Sequence, residues 1–150
     1  VEFNEEKEIL KISNKNKNKY FAPYSIMRTM RAGVLVLAPL LAKFGKARVS
    51  LPGGCSIGAR PVNLHLEALK KLGAKINVKS GYIDASAPKG LLGANIKFPI
   101  ISVGATESTI IAAVLAKGVT KIRNAALEPE IIDLIKFLNK NIHARKQVNP

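Results

Sequence analysis

The chain has 150 residues, of which 47% are hydrophobic and 23% are charged, and its formal net charge is +14. This length suits one globular domain with a real core, and the composition is ordinary for a soluble chain. A single cysteine excludes an intrachain disulfide framework and favours a reducing compartment. The N-terminus has no apolar signal region, and the longest apolar run, residues 32–42, is too short to cross a bilayer. We therefore expect a soluble, cytoplasmic protein.

The charge balance of 24 basic against 10 acidic side chains favours polyanions and phosphorylated ligands alike. Aromatic residues make up only 5% of the chain and do not alternate with the lysines, so the pattern does not favour nucleic acid bound by base stacking. Two classes of function stay open: an enzyme for an anionic substrate, and a basic binding module for nucleic acid or other polyanions.

The first third of the chain predicts short strands followed by one long helix. Residues 1–13 have short alternating apolar positions and predict one or two strands, and a lysine–asparagine loop follows them. Pro23 suits a helix start. The apolar positions after it recur at helical spacing and predict one buried stripe, bent at Pro39. These positions are Ile26, Met30, Val34, Leu37, Leu41 and Phe44.

A helix, a glycine and a strand then recur three times. Gly45, Gly73 and Gly118 each follow a predicted helix, where glycine suits the left-handed C-terminal cap. The strands that follow are residues 47–51, 75–78 and 120–122, and two more short strands are predicted at 82–85 and 94–98. This order predicts an α/β domain of repeated βαβαββ-like units.

The stretch from Val49 to His65 carries the first candidate site. Cys55 lies in a glycine-rich loop after a predicted strand, and Arg60 stands directly before Pro61, which suits a helix start. Helix N-termini attract anions through their unpaired N–H groups. A negatively charged ligand is therefore one interpretation, and a buried, inert cysteine is the other.

Two further features have both a structural and a functional interpretation. Arg31 is either a solvated arginine or a guanidinium that holds a ligand. The segment from Ser102 to Thr106 precedes a predicted helix at residues 107–116, and its small residues suit either a phosphate or an ordinary N-cap. Spacing alone favours the cap.

The end of the chain breaks the repeat. Pro129 begins a last helix with an apolar side of Ile131, Leu134, Ile135 and Leu138, but no glycine and strand follow it. We expect a domain at residues 1–140, a disordered basic tail at 141–150, and a sheet edge open to self-association. The residues expected to be under-packed are Phe98, Ile101, Ile131 and Ile135.

Four segments within residues 22–140 together resemble one family, the UDP-N-acetylglucosamine 1-carboxyvinyltransferases, or enolpyruvyl transferases, of peptidoglycan synthesis. They read PYSIMRTMRAG, SLPGGCSIGARPVNLH, SVGAT and NAALEPEIIDLIKFL. The resemblance implies an α/β (α+β) fold of two domains of βαβαββ repeats, forming an inside-out α/β barrel with the site in the cleft between them. This chain would be an incomplete first domain. The resemblance also implies a role in cell-wall biogenesis, cell shape and cell division.

The resemblance implies that the enolpyruvyl group of phosphoenolpyruvate moves to the 3-hydroxyl of UDP-N-acetylglucosamine by addition and then elimination of phosphate. Cys55 matches the general acid, which fosfomycin alkylates, and Arg31 and Arg60 match arginines that hold anionic substrate groups. The stretch around the uridine matches Arg60, Pro61, Val62, Asn63 and Leu64, and the diphosphate contacts match Ser102, Val103 and Gly104. No cofactor and no metal are implied.

Departures from the family pattern qualify this expectation. Asn63 stands where the family usually has aspartate, and Ile100 stands where a lysine commonly helps to hold the diphosphate. The family's N-terminal lysine–asparagine pair has no counterpart here, and the aspartate that acts on the sugar hydroxyl belongs to the second domain. We therefore expect this chain to be inactive alone, as a piece of a split or decayed enzyme or of one completed by another chain.

Overall fold

The computed structural model describes residues 2–11, 20–30, 32–51 and 62–141. The helices are α1 (Tyr24–Met27), α2 (Leu37–Phe44), α3 (Asn63–Lys71), α4 (Val103–Val114) and α5 (Pro129–Asn141), with a 3-10 turn at Gly33–Val36. The strands are β1 (Glu2–Asn4), β2 (Ile9–Lys11), β3 (Phe21–Ala22), β4 (Lys46–Ser50), β5 (Lys75–Lys79), β6 (Tyr82–Ser86), β7 (Asn95–Lys97) and β8 (Lys121–Arg123).

The strands of the described chain form one four-stranded sheet and two pairs. The order in the larger sheet is β3-β4-β6-β5, with β3 parallel to β4 and the other pairs antiparallel. The β1–β2 pair is an antiparallel hairpin, and β7 pairs with β8 in parallel. In chain order the elements read ββ, then βαβαββ, then βαβα, with α1, the 3-10 turn and α2 filling the place of one helix. The predicted α/β repeat is confirmed.

The larger sheet is buried on one face only. Successive side chains of a strand point to opposite faces, and along β4 Ala47 and Val49 are buried while Lys46 and Arg48 are exposed. Val49 is paired with Ile83 of β6, which is also fully buried. The helices therefore cover the apolar face, and the other face is open to solvent.

The helix α4 lies at the centre of the helical layer and contacts α2, α3 and α5. Its buried residues are mostly small: Ala105, Thr106, Ser108, Thr109, Ile110 and Ala112. Small side chains on several sides let neighbouring helices approach closely, and a helix without a polar face belongs in the interior. No helix in the described parts of the chain is both long and apolar enough to span a membrane.

A second, smaller apolar cluster joins α4 to α5. Ile110, Ala126, Ile131 and Ile135 form it, and the apolar side predicted for the last helix is confirmed. The prediction that Ile131, Ile135 and Phe98 would be under-packed is wrong, because each is no more than 8% exposed. Ile110 and the segment before α5 cover the two isoleucines, while Ile101 is 61% exposed.

The single helix predicted after Pro23 is divided into α1, the 3-10 turn and α2. Between Met27 and Gly33 the backbone makes i→i+3 hydrogen bonds, including Gly33 N–H to the Met30 carbonyl at 3.2 Å. A Cβ at Gly33 would lie 2.5 Å from the Met27 Cε, so a larger residue there would displace the end of the buried Met27 side chain. Pro39 causes no bend, because it lies in the first turn of α2, where no N–H is needed.

The glycine prediction holds at two of its three positions. Gly45 ends α2 with φ of +67°, and Gly73 follows α3 with φ of +91°. Gly118 is not a cap, because α4 already ends at Val114. Instead the chain there lies beside the segment at Leu91, and the Lys117 N–H donates a hydrogen bond to the Leu91 carbonyl at 2.8 Å. The helix α5 runs through Asn141, and the rest of the predicted tail lies outside the described residues.

Candidate functional site

Two helix starts contain all of the predicted site residues that the structure describes. Val62 precedes α3, which begins with Asn63 and Leu64, and Ser102 precedes α4, which begins with Val103 and Gly104. The other predicted site residues, Arg31, Cys55, Arg60 and Pro61, lie outside the described residues. Their roles stay predictions.

The first turns of α3 and α4 are in contact. A Cβ at Gly104 would lie 3.3 Å from the His65 Cε1 and 3.5 Å from its Nε2, so the ring of His65 packs directly on the Gly104 backbone. His65 is the third residue of α3, and Gly104 is the second residue of α4. These two residues are far apart in the sequence, and the fold brings the starts of α3 and α4 into contact.

No side chain in the described part of the chain caps the start of α3. Valine at position 62 offers no hydrogen-bond acceptor, and the first described intrahelical bond runs from the Leu66 N–H to the Val62 carbonyl at 3.1 Å. The N–H groups of Asn63, Leu64 and His65 therefore have no helical acceptor among the described residues. Because such groups and the helix dipole favour negative charge, this helix start suits an anion.

The start of α4 is capped, as the spacing predicted. The Ser102 Oγ accepts a hydrogen bond from the Ala105 N–H at 3.3 Å. Thr106 Oγ1 donates to the Ser102 carbonyl at 2.8 Å and accepts from the Ala126 N–H at 3.1 Å. These bonds tie the first turn of α4 to the segment before α5, while the N–H groups of Val103 and Gly104 keep no helical acceptor.

The predicted residues differ in how much of their side chain is available. Asn63 is exposed, and Ser102, Val103 and Gly104 are half-buried. Leu64 belongs to the main apolar core and is only 6% exposed, so a ligand at this helix start would meet its backbone. Ile100, just before α4, is 59% exposed and brings no charge to the site.

His65 is the residue that sequence reasoning missed. It is 8% exposed, and its Nδ1 has no hydrogen-bond partner among the described residues. Burial lowers the pKa of the His65 imidazole below its ordinary value. The signal was present in the sequence, because His65 shares the helical face of Val62, Leu69 and Leu72 and is the one polar residue there.

Two solved structures with a similar fold are enolpyruvyl transferases. The enolpyruvyl transferase NikO from Streptomyces tendae superposes with a TM-score of 0.60 at 19% identity, over 81% of this chain and 28% of that one. An EPSP synthase from Acinetobacter baumannii gives a TM-score of 0.56 at 17% identity, over 71% of this chain and 25% of that one. The fold is therefore that of an enolpyruvyl transferase domain.

The chain belongs to the EPSP synthase (3-phosphoshikimate 1-carboxyvinyltransferase) family, whose sequence model matches residues 1–145. It is 65% identical over 132 residues to a UDP-N-acetylglucosamine 1-carboxyvinyltransferase of Pelagibacter ubique, covering 88% of this chain and 32% of that protein. A Caulobacter vibrioides protein of the same name is 61% identical over 119 residues, covering 79% and 28%. The chain thus spans about a third of the length of these curated relatives, and the resemblance noted from its motifs is confirmed.

Proposed function

We propose that this chain forms part of a cytoplasmic enzyme that transfers the enolpyruvyl group of phosphoenolpyruvate to the 3-hydroxyl of UDP-N-acetylglucosamine for peptidoglycan synthesis. The observation that carries the proposal is the identity of 58–65% with relatives that bear that enzyme's name. Because the chain spans about a third of those relatives, the complete activity would need residues that this span does not supply, from a complementary chain or a longer protein.

The adjoining starts of α3 and α4 would hold the uridine diphosphate part of the sugar nucleotide. The geometry supports this role, because no described side chain caps α3 and Gly104 presents backbone without a side chain. N–H groups without an acceptor among the described residues, at two helix starts, give an anion several donors and two favourable dipoles. The expected contacts are Ser102, Val103 and Gly104 with the diphosphate, and Val62, Asn63 and Leu64 with the uridine beside it.

The chemistry would proceed by addition and elimination. The sugar hydroxyl oxygen bonds to C2 of phosphoenolpyruvate, and the Cys55 thiol gives its proton to the methylene carbon, which becomes a methyl group. A base supplied from outside the described residues accepts the hydroxyl proton. In the second step the methyl carbon loses a proton and inorganic phosphate leaves, which restores the double bond. Arg31 and Arg60 would hold the anionic groups, and fosfomycin would alkylate Cys55.

Calorimetric titration with UDP-N-acetylglucosamine tests the binding step. We expect selectivity for this ligand over ADP-glucose, and weakening by about tenfold or more in Gly104→Ala, because the added methyl group would crowd His65. Ala113→Val, which adds bulk in the last turn of the same helix, is the matched control and should bind normally. Equal binding of both nucleotides would count against the proposal.

A graft tests the chemistry. The chain would replace the matching 132 residues of the Pelagibacter ubique relative, and phosphate release would be measured with both substrates present. We expect release that needs both substrates and is abolished by Cys55→Ser, while the 150-residue chain alone releases none. Asn63→Asp and Ile100→Lys in the graft should improve the KM for the sugar nucleotide. A graft that is folded but inactive, or active with Cys55→Ser, would contradict these roles.

A basic binding module remains the second candidate, and one surface favours it. On the open face of the sheet, Lys46 Nζ lies 4.1 Å from the Tyr20 ring centroid and the Arg48 guanidinium lies 4.9 Å from that of Tyr82. Aromatic and basic side chains together suit single-stranded nucleic acid. Binding of a short single-stranded DNA with a steep salt dependence, lost in Tyr82→Ala, would support this candidate.

A further inference from the structure

His65 is a buried polar group to which the proposed chemistry gives no role. The side chain is 8% exposed, and its Nδ1 is enclosed without a hydrogen-bond partner among the described residues. Leaving a buried nitrogen unpaired costs free energy, and most native structures avoid it. An unpaired nitrogen beside two helix starts is therefore available to a ligand that reaches them.

The surroundings of His65 favour the neutral imidazole in the free protein. The residue lies in the first turn of α3 and packs on Gly104 in the first turn of α4. Both helix starts present positive partial charge, which opposes a further proton, and burial lowers the pKa of the imidazole. An anion bound at the same place would have the opposite effect, because it favours the charged ring.

We propose that His65 takes up one proton from solvent when an anionic ligand binds at the starts of α3 and α4, and that the resulting imidazolium donates a hydrogen bond to the ligand. The inference rests on the proposed diphosphate site and adds a property of that site. Ligand binding and protonation of His65 then form one linked equilibrium. The affinity for the ligand falls as the pH rises, because the proton becomes harder to supply.

The charged groups described near His65 do not account for its protonation state. On α3 itself, Glu67 is paired with Lys70 at 2.8 Å. The elements packed against α3 carry Lys75 and Lys79 on β5, Lys97 on β7 and Glu107 on α4. None of them contributes to the lowered pKa of His65, for which burial is the cause. Against the described residues, a bound anion would therefore be a new charge beside the ring.

Calorimetry of the full 150-residue chain tests the inference with UDP-N-acetylglucosamine as the probe. The diphosphate of this ligand is a diester, so it neither gains nor loses a proton near neutral pH. Titrations in two buffers of different ionisation heat, between pH about 6 and about 8, give the number of protons taken up. We expect the measured proton uptake to reach up to one proton per bound ligand within this range. The affinity should then fall by as much as about tenfold for each unit that the pH is raised.

Variants and a spectroscopic measurement separate this role from a structural one. His65→Gln should bind without proton uptake and with little pH dependence, while His143→Gln, at the other histidine, should behave as the unaltered chain. Should either histidine variant fail to fold, the imidazole ¹⁵N shifts of the unaltered chain give the same information, since His65 must change from neutral to protonated at saturation.

Each outcome is decisive. Binding without proton uptake, uptake that persists in His65→Gln, or an imidazole that stays neutral overturns the inference and leaves the proposed function in place. Absence of UDP-N-acetylglucosamine binding at every pH, in a chain shown to be folded, overturns both.

Discussion

The Thr106 hydroxyl accepts a hydrogen bond from the Ala126 N–H at 3.1 Å and connects α4 to the segment that leads into α5. Both residues are no more than 1% exposed. The same hydroxyl donates to the Ser102 carbonyl at 2.8 Å, so one side chain satisfies two backbone groups. The start of α4 is thereby held in a fixed place beside the start of α3.

Thr106→Val should destabilise the fold, because it keeps the shape and leaves the buried Ala126 N–H without an acceptor. We expect a loss of roughly 1–3 kcal/mol in the free energy of unfolding, measured by urea denaturation. Thr109→Val is the matched control. Thr109 is equally buried, but its hydroxyl donates only to the Ala105 carbonyl of its own helix at 2.7 Å. Equal losses in the two variants would contradict the role given to Thr106.

Gly45→Ala should cost more stability than Gly73→Ala. Both glycines have positive φ, where an alanine is strained by roughly 1–2 kcal/mol. At Gly73 a Cβ would meet nothing within 4 Å, whereas at Gly45 it would lie 3.1 Å from the Ala87 carbonyl oxygen. Thermal melts of the two variants give the comparison, and a larger loss at Gly73 would show that the contact with Ala87 yields easily.

Stability should fall on acidification because of His65. Its pKa is lower in the folded chain than its ordinary value of 6.5, so the unfolded chain binds the proton first as the pH falls. The free energy of unfolding therefore has its full His65 contribution above pH 6.5 and loses it as the pH falls below 6.5, by at most about 1.4 kcal/mol per pH unit. Urea denaturation at pH about 7.5 and about 5.5 measures it. His65→Phe should flatten this dependence, and an unchanged dependence would assign it to other groups.

Glu107→Gln should stabilise the chain at neutral pH. Burial, and then the nearby Glu130 carboxylate, raise the pKa of Glu107 above its ordinary value of 4.5, which means that the charged form is disfavoured in the fold. The gain should vanish at low pH, where Glu107 is protonated in both states. Glu6→Gln, in the turn between β1 and β2, is the control and should change little. A loss of stability in Glu107→Gln at neutral pH would contradict this account.

Cys55 should react with a maleimide in the folded chain, because glycines flank it in the sequence PGGCSIG. Labelling would be followed by mass spectrometry with and without denaturant, and Cys55 is the only cysteine in the chain. Labelling that needs denaturant would favour the alternative of a buried, inert thiol. Fosfomycin should label it more weakly than it labels a complete enzyme.

Local signals in the sequence were sufficient for most elements. Strand alternation, the glycines after α2 and α3, and the proline at the start of α5 each act within a few residues. The break between α1 and α2 was missed because helical periodicity does not report the change to i→i+3 hydrogen bonds between Met27 and Gly33.

The candidate site could be predicted only in part, because its geometry depends on tertiary contacts. The two helix starts were each recognised, but their contact through His65 and Gly104 is tertiary, and no local pattern encodes it. Motif resemblance assigned Cys55, Arg31 and Arg60, which stay predictions. It gave His65 no role, although the Nδ1 of this residue has no hydrogen-bond partner among the described residues.

The central position of α4 has a consequence for local unfolding of the chain. Ala105 and Ala112 of this helix belong to the main core, while Ile110 belongs to the cluster with α5. A ligand held at the first turn of α4 would therefore slow amide hydrogen exchange on both sides of the helix, in the sheet and in α5 together. The two parts of the core would protect each other as one cooperative unit.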